Sequence, residues 1–224
     1  MSNLNRNEKD LLRIWACDFG VELSGPQLRL LGIYFDELWL WNKRMNLTGL
    51  TTRERIIKEL LLDSLIPSPF LPEKGHLLDV GSGAGFPAIP LKISRKKITF
   101  NLMEAKSKKV SFLRQVIRLL GLKGIEVTRG RIEKGKEILL PEGYNVITAR
   151  ALAHLPQTLT WCAPFLMPGG AIVNFQGSRF EHALTESSDV MKRERLFLYK
   201  SIPYTLPGKD SRRHILIFKK NVTV

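Results

Sequence analysis

The residues with the plainest capacity for chemistry form one run, Leu77-Leu78-Asp79-Val80-Gly81-Ser82-Gly83-Ala84-Gly85, about a third of the way along a 224-residue chain. Glycine lets a backbone turn tightly and lets a ligand approach without meeting a Cβ. In an open α/β sheet, the carboxyl end of the first strand is where nucleotides bind. Two details separate this turn from a dinucleotide fingerprint. A G-x-G-x-x-G pattern would put glycine at 86, but Phe86 stands there and the third glycine is Gly85. Asp79, just before the turn, would also repel a pyrophosphate. A cationic sulfonium cofactor with an amino-acid tail has no pyrophosphate and tolerates nearby carboxylates. The expected ligand is therefore S-adenosylmethionine, with Asp79, Gly81, Gly83 and Gly85 around it.

A second acid, Glu104, ends the next apolar segment. Alone it reads as a solvated strand-end carboxylate. Behind a D-x-G-x-G-x-G turn it is placed to accept both ribose hydroxyls of an adenosine. Arg131-Ile132-Glu133 follows the next strand, where such domains contact adenine with a backbone amide and an acid. After Asn145–Thr148 comes Ala149-Arg150-Ala151, not the Asn/Asp-Pro-Pro-aromatic element that orients exocyclic amines, so adenine N6 and cytosine N4 are disfavoured as acceptors. Cys162, in Trp161-Cys162-Ala163-Pro164, reads as a packing thiol, against cytosine C5 chemistry, which needs an activated thiolate. Cys17 and Cys162 have no His or Cys neighbours at metal spacing, so no metal site is expected and a reducing compartment fits. His154 and His214 have no partner in the sequence and receive no catalytic role.

The elements that must hold these residues follow from periodicity. Leu4 to Phe19, a second stretch after Ser24-Gly25-Pro26 with Leu28, Leu31, Phe35 and Leu38 on one face, and a third after Thr52 read as helices. Pro67, Pro69, Pro72 and Gly75 then break regular structure. Beyond them strands alternate with helices: His76–Val80, Ile98–Glu104, Ile125–Thr128, Asn145–Thr148 and Ala171–Phe175, with helices over Lys109–Leu120 and Leu155–Leu166. Phe197–Ile202 and His214–Phe218, joined at Pro207-Gly208, read as an antiparallel hairpin. The expectation is an α/β fold of the Rossmann-like S-adenosylmethionine-dependent methyltransferase kind. It has a mainly parallel twisted sheet, an antiparallel C-terminal edge hairpin and an N-terminal helical extension. Residues 1–74 form the helical segment and 75–224 the cofactor-binding domain.

Charge is distributed unevenly. The net formal charge is +14, yet residues 1–74 hold 10 Lys/Arg and 10 Asp/Glu, so the whole excess lies beyond them. A neutral first third joined to a basic remainder suggests a surface built for a polyanion. Arg95, Lys96, Lys97, Lys108, Lys109, Arg114, Arg212 and Arg213 are the candidate phosphate contacts. No apolar stretch approaches the roughly 20 residues that span a bilayer, and the polar start lacks an apolar signal segment. A cytoplasmic monomer is expected. A methyltransferase for small molecules or proteins fits the basic two-thirds poorly. A non-catalytic RNA-binding relict would not need an intact cofactor turn, and a nicotinamide enzyme is disfavoured by Phe86 and Asp79.

Several further runs carry a family resemblance: Trp41-Asn42-Lys43-Arg44-Met45-Asn46-Leu47-Thr48, Leu62-Asp63-Ser64, the turn extended through Phe86-Pro87-Ala88-Ile89-Pro90-Leu91, Lys108-Lys109-Val110-Ser111-Phe112-Leu113, Arg131-Ile132-Glu133, Ala149-Arg150-Ala151 and Arg213-His214-Ile215. Together they resemble the small-subunit ribosomal RNA guanine-N7 methyltransferase G family, also called glucose-inhibited division protein B. The resemblance covers nearly the whole chain. It implies methylation of N7 of the guanine at nucleotide 527 of 16S rRNA, with 16S rRNA or the 30S subunit as partner. It also implies cofactor contacts at Gly81, Phe86, Ile132, Glu133 and Arg150. Arg150 is the candidate for positioning a cofactor or RNA group. The chain departs from the family pattern at Glu59-Leu60, where a basic Arg-His pair is frequent, and at Ala88, Ala149 and Gln176. Guanine N7 already carries an in-plane lone pair, so the implied reaction is a direct displacement that needs no general base.

Overall fold

The protein is described here from a computed structural model covering residues 4–134 and 140–222. Two amphipathic helices open it. α1 (Arg6–Asp18) and α2 (Gly25–Met45) each start in a capping box, formed by Asn5 with Glu8 and by Ser24 with Gln27, which satisfy the first unpaired N–H groups. Pro26 sits in the first turn of α2, where its missing N–H costs nothing. The third helix is a composite: α3 (Arg53–Ile56), a π-helical stretch (Ile57–Leu62), then α4 (Asp63–Leu65). The expected helix is present, but the wide π turns have no sequence signature.

Among the described residues, seven strands form one sheet: β1 (Gly75–Val80), β2 (Ile98–Glu104), β3 (Ile125–Arg129), β4 (Tyr144–Arg150), β5 (Leu166–Gln176), β6 (Leu196–Thr205) and β7 (Arg212–Lys220). Their order is β3-β2-β1-β4-β5-β7-β6. The first five are parallel, and β7 pairs antiparallel with both β5 and β6. This is the expected sheet and edge hairpin, with most strands a residue or more longer than the apolar runs suggested. All five parallel strands end on one edge, at Val80, Glu104, Arg129, Arg150 and Gln176. β7 runs the opposite way, so Arg212 and Arg213 start it on that same carboxyl edge.

Helices cover both faces. α5 (Ala88–Ser94) and α6 (Ser107–Leu119) pack with the N-terminal helices on one side, burying Leu12, Leu31, Phe35, Leu61, Ile89, Phe112 and Leu113 in one apolar cluster with Phe100 and Ile217 of the sheet. α7 (Leu155–Cys162) and the short α8 (Glu181–Glu186) and α9 (Ser188–Arg193) cover the other side, around Leu78, Ile147, Leu159 and Phe218. The expected helix over Leu155–Leu166 stops at Cys162, where Ala163–Phe165 tightens to 3-10. The prolines at 67–72 do not free the helices from the sheet: Leu65, Ile66 and Leu71 belong to the same cluster as Leu77. Among the described residues, no helix is long and apolar enough to cross a membrane.

Candidate active site

The glycine turn lies at the carboxyl end of β1, in the middle of the parallel strands. Gly81 and Ser82 donate to the Met103 carbonyl at 2.9 and 3.0 Å, tying the turn to the end of β2. Gly81, Gly83 and Gly85 have φ of 73°, 59° and 95°, conformations that favour glycine. Gly85 and Gly83 differ in their surroundings. A Cβ on Gly85 would lie 2.6 Å from Ile89 Cγ1 and 3.1 Å from the Tyr34 hydroxyl, so this glycine serves packing. A Cβ on Gly83 would meet nothing closer than 3.8 Å, so the space over it is open. Tyr34 braces the turn from α2 by donating to the Ala84 carbonyl at 2.6 Å, and its ring packs on Phe86 at 5.3 Å. Phe86 is thereby buried.

Two carboxylates flank the turn. Glu104 accepts from Gly83 N at 2.9 Å and from Lys106 N at 2.8 Å, one bond to each oxygen. It fixes the turn as well as facing it. Asp79 is 1% exposed. Its Oδ1 accepts from the Thr148 hydroxyl at 2.7 Å, while its Oδ2 carries no hydrogen bond. Burial pushes the Asp79 carboxyl up to about 6, against the opposing pull of the Thr148 hydrogen bond. A buried oxygen with spare acceptor capacity beneath an open glycine turn fits a group bearing N–H donors or positive charge. The donor set therefore suits the amino acid and sulfonium of S-adenosylmethionine. Ile132 begins a 3-10 turn beyond β3 and is buried, and Glu133 lies 3.7 Å from Arg131. The Gly130 N–H bonds the Glu104 carbonyl at 3.1 Å, bringing this turn alongside the acid.

Arg150 ends β4, two strands from Glu104 on the same edge. Its Nη2 donates to the Glu59 carbonyl at 2.6 Å, in the π-helical stretch. Its Nη1 lies 3.4 Å from Asp63 Oδ2, an ion pair without hydrogen-bond geometry. Asp63 is 1% exposed and also accepts from the Tyr204 hydroxyl at 2.8 Å and Arg213 Nη1 at 3.0 Å. Burial and the neighbouring Asp63 raise the Tyr204 pKa, so its phenol stays a donor. These side chains line a cavity of about 300 Å³ with Ala151, Phe175, Gln176 and Gly177. On the other flank, Lys106, Lys108, Lys109 and Arg129 line a basic cavity of about 500 Å³ with Met45, Asn46 and Leu47.

The eight cations singled out for RNA do not share one surface. Lys108 and Lys109 open α6 at the carboxyl edge, with Arg114 exposed further along it, and Arg212 is exposed at the start of β7. Arg213 instead is engaged by Asp63, with Glu59 3.8 Å away. Arg95, Lys96 and Lys97 precede β2 and so lie at its amino end, away from the turn. There Arg95 donates to the Leu71 carbonyl at 2.6 Å and Lys97 pairs with Glu73. Cys162 is wholly buried, and burial pushes its thiol up to about 12, so no thiolate forms near neutrality. His154 has Glu186 at 3.6 Å, and His214 packs against Phe180 with the rings tilted by 45°, partners invisible in the sequence. Tyr34, Asp63, Thr148 and Tyr204 are site residues that residue-level reasoning left without a role. Only Asp63 carried a signal, as part of a family motif.

The sheet order, the glycine turn and the acids at the carboxyl ends of β1 and β2 define an S-adenosylmethionine-dependent methyltransferase fold. Solved structures agree: a methyltransferase from Pyrococcus furiosus matches with TM-score 0.61 and 18% identity, over 82% of this chain and 96% of that one. M. jannaschii TYW2 in complex with AdoMet matches with TM-score 0.59 and 13% identity, over 76% of each chain. The sequence profile described as "GidB: rRNA small subunit methyltransferase G" matches residues 27–215, and the chain belongs to that family. Proteins named ribosomal RNA small subunit methyltransferase G from Alkaliphilus metalliredigens and Acetivibrio thermocellus are 34% and 35% identical to it. Each alignment covers 95% of this chain, and 90% and 88% of the relative respectively.

Proposed function

We propose that this protein transfers a methyl group from S-adenosylmethionine to N7 of a guanine in 16S rRNA, at nucleotide 527 in the decoding region. Gly81 and Gly83 would give the cofactor close backbone approach. Asp79 would face its cationic end, and Glu104 its ribose, with Ile132 and Glu133 near the adenine and Phe86 bracing the turn. When bound, the cofactor supplies an electrophilic methyl on sulfur. The chain's part is alignment and exclusion of water. Guanine N7 needs no deprotonation, so no general base is required. Two of the carboxylates on this edge are tied into structural bonds, Asp63 among Arg150, Arg213 and Tyr204, and Glu104 against two backbone N–H groups; Asp79, with its unbonded Oδ2, is left to the cofactor.

The observation that carries this reading is the juxtaposition on one edge of an open glycine turn, flanked by Asp79 and Glu104, with a second cavity walled by Arg150 and Arg213. The first suits the donor, the second an acceptor-rich nucleotide. Lys108, Lys109, Arg114 and Arg212 would hold RNA phosphates around them. In this division of labour residues 75–224 carry the cofactor, and residues 1–74 cover the sheet and complete the RNA side. We assign the protein to the cytoplasm, acting as a monomer on 16S rRNA or the 30S subunit. 7-Methylguanine has a cationic imidazole ring, open to borohydride reduction and then to strand cleavage by aniline. Unmodified rRNA incubated with protein and labelled cofactor should give one cleavage in the decoding region, absent without either. Label incorporated with no cleavage would place the methyl on another atom.

A further inference from the structure

Asp63 is an expensive residue to bury. A carboxylate that is 1% exposed loses its hydration, and a buried ion pair is on average no more stabilising than a well-packed apolar replacement. Its partners show another use. Oδ1 accepts from Tyr204 of β6 and Arg213 of β7, and Oδ2 faces Arg150 at the end of β4. Four residues earlier on the same composite helix, the Glu59 carbonyl takes Arg150 Nη2 at 2.6 Å. π-Helical stretches recur at functional sites. Here one lets a single helix hold two guanidinium groups from two separate strands.

Neither guanidinium is saturated. Arg150 Nη1 is shielded by protein yet makes no hydrogen bond. Arg213 gives Asp63 one hydrogen bond, at Nη1, and its Nη2 stands 3.8 Å from Glu59. Both line the cavity of about 300 Å³, whose wall includes the Phe175 ring beneath Arg150 at 5.8 Å. At its mouth Gly177 has open space where a Cβ would stand. Unspent donors beside an aromatic face match a nucleotide unit, with acceptors on its base edge and phosphate and a π-face to stack.

We infer that Asp63 is a positioning residue for the RNA side of the reaction: it sets Arg150 and Arg213 so that the cavity they line takes one nucleotide of the substrate. This rests on the proposed rRNA reading. Arg213 touches the nucleotide, Arg150, for which the family resemblance also implies a cofactor contact, stands between nucleotide and cofactor, and Asp63 acts only through them.

The test is binding and turnover of the full-length protein with an unmodified rRNA fragment, for wild type, Asp63→Asn, Arg213→Lys and the double variant. Asp63→Asn keeps the volume and an acceptor for Tyr204 but removes the charge. It should weaken RNA binding about 10-fold and raise KM similarly, with S-adenosylmethionine affinity within about twofold of wild type. Because the two residues act as one unit, the double variant should lose little more than either single variant, about 10-fold rather than about 100-fold. Additive losses, an RNA affinity equal to wild type, or equal losses of cofactor and RNA affinity would each overturn the inference. If Asp63→Asn does not fold, Tyr204→Phe removes one hydrogen bond from the same carboxylate. It should raise KM about 2- to 5-fold with cofactor binding intact, and an unchanged KM overturns the proposal. Failure of the wild type itself to bind RNA would instead bring down the rRNA reading and this inference together.

Discussion

Asp79 gives the sharpest quantitative check on the proposed cofactor site. In the free protein its carboxyl is held up at about 6 by burial, against an ordinary 3.8, and its Oδ2 has no hydrogen bond. A ligand that brings positive charge or N–H donors to that oxygen binds the ionised form. Its affinity must then fall as pH drops through about 6, because each protein molecule must first release a proton. At pH 5 about one molecule in eleven is ionised, so binding should be about 10-fold weaker than at pH 7.5, or about 1.4 kcal/mol. Calorimetric titration with S-adenosylmethionine from pH 5 to 8 reads this directly. Asp79→Asn should bind more weakly at pH 7.5 and show a flat profile. The same ionisation acts on stability with a definite sign. A native pKa above the unfolded one means that the native state holds the proton more tightly. The contribution is complete below about 3.8 and lost as pH rises through about 6, up to about 3 kcal/mol. Chemical denaturation of wild type and Asp79→Asn across that window should therefore diverge. A wild-type affinity flat below pH 6, or an asparagine variant with the wild-type profile, would remove Asp79 from the cofactor site.

Other outcomes follow from the same geometry. Gly85→Ala forces a Cβ against Ile89 at 2.6 Å and should cost about 3 kcal/mol of stability. Gly83→Ala should cost only the backbone strain of about 1–2 kcal/mol, yet weaken cofactor binding; equal melting temperatures for the two would contradict this division. Glu104→Gln should weaken cofactor binding about 10- to 100-fold, as expected for a charged hydrogen bond, and unchanged calorimetric affinity would take the ribose role away. Lys108→Ala and Lys109→Ala should each lower the salt slope of RNA binding by about one, whereas Lys97→Ala, paired with Glu73, should leave it alone. Cys162→Ala should lower stability modestly through its small cavity while methyl transfer persists; an inactive but folded variant would restore the thiol to the chemistry.

Much was legible before any coordinates because it is written locally. The helix start at Ser24-Gly25-Pro26, the alternation of apolar strands with helices, and the glycine turn with Asp79 and Glu104 depend on neighbours within a few residues. Backbone preference, periodicity and charge are one-dimensional properties, so the sequence alone determined the α/β class, the sheet with its edge hairpin and the glycine turn. What it could not determine was which distant groups share a small volume. A run of lysines and arginines looks the same at either end of a strand, so Arg95 and Lys97 were grouped with Lys108 and Lys109 although they sit at opposite ends of β2. Glu104 bonding its own glycine turn, the different surroundings of Gly83 and Gly85, and the π turns that carry Asp63 to Arg150 also left no local mark. Asp63 meets Tyr204 and Arg213 across 141 and 150 residues, and only the packing of the third helix against the sheet edge decided that meeting. The glycine turn is set by short-range backbone physics; the arginine-lined cavity beside it exists only because the folded chain brings five separate segments to one edge.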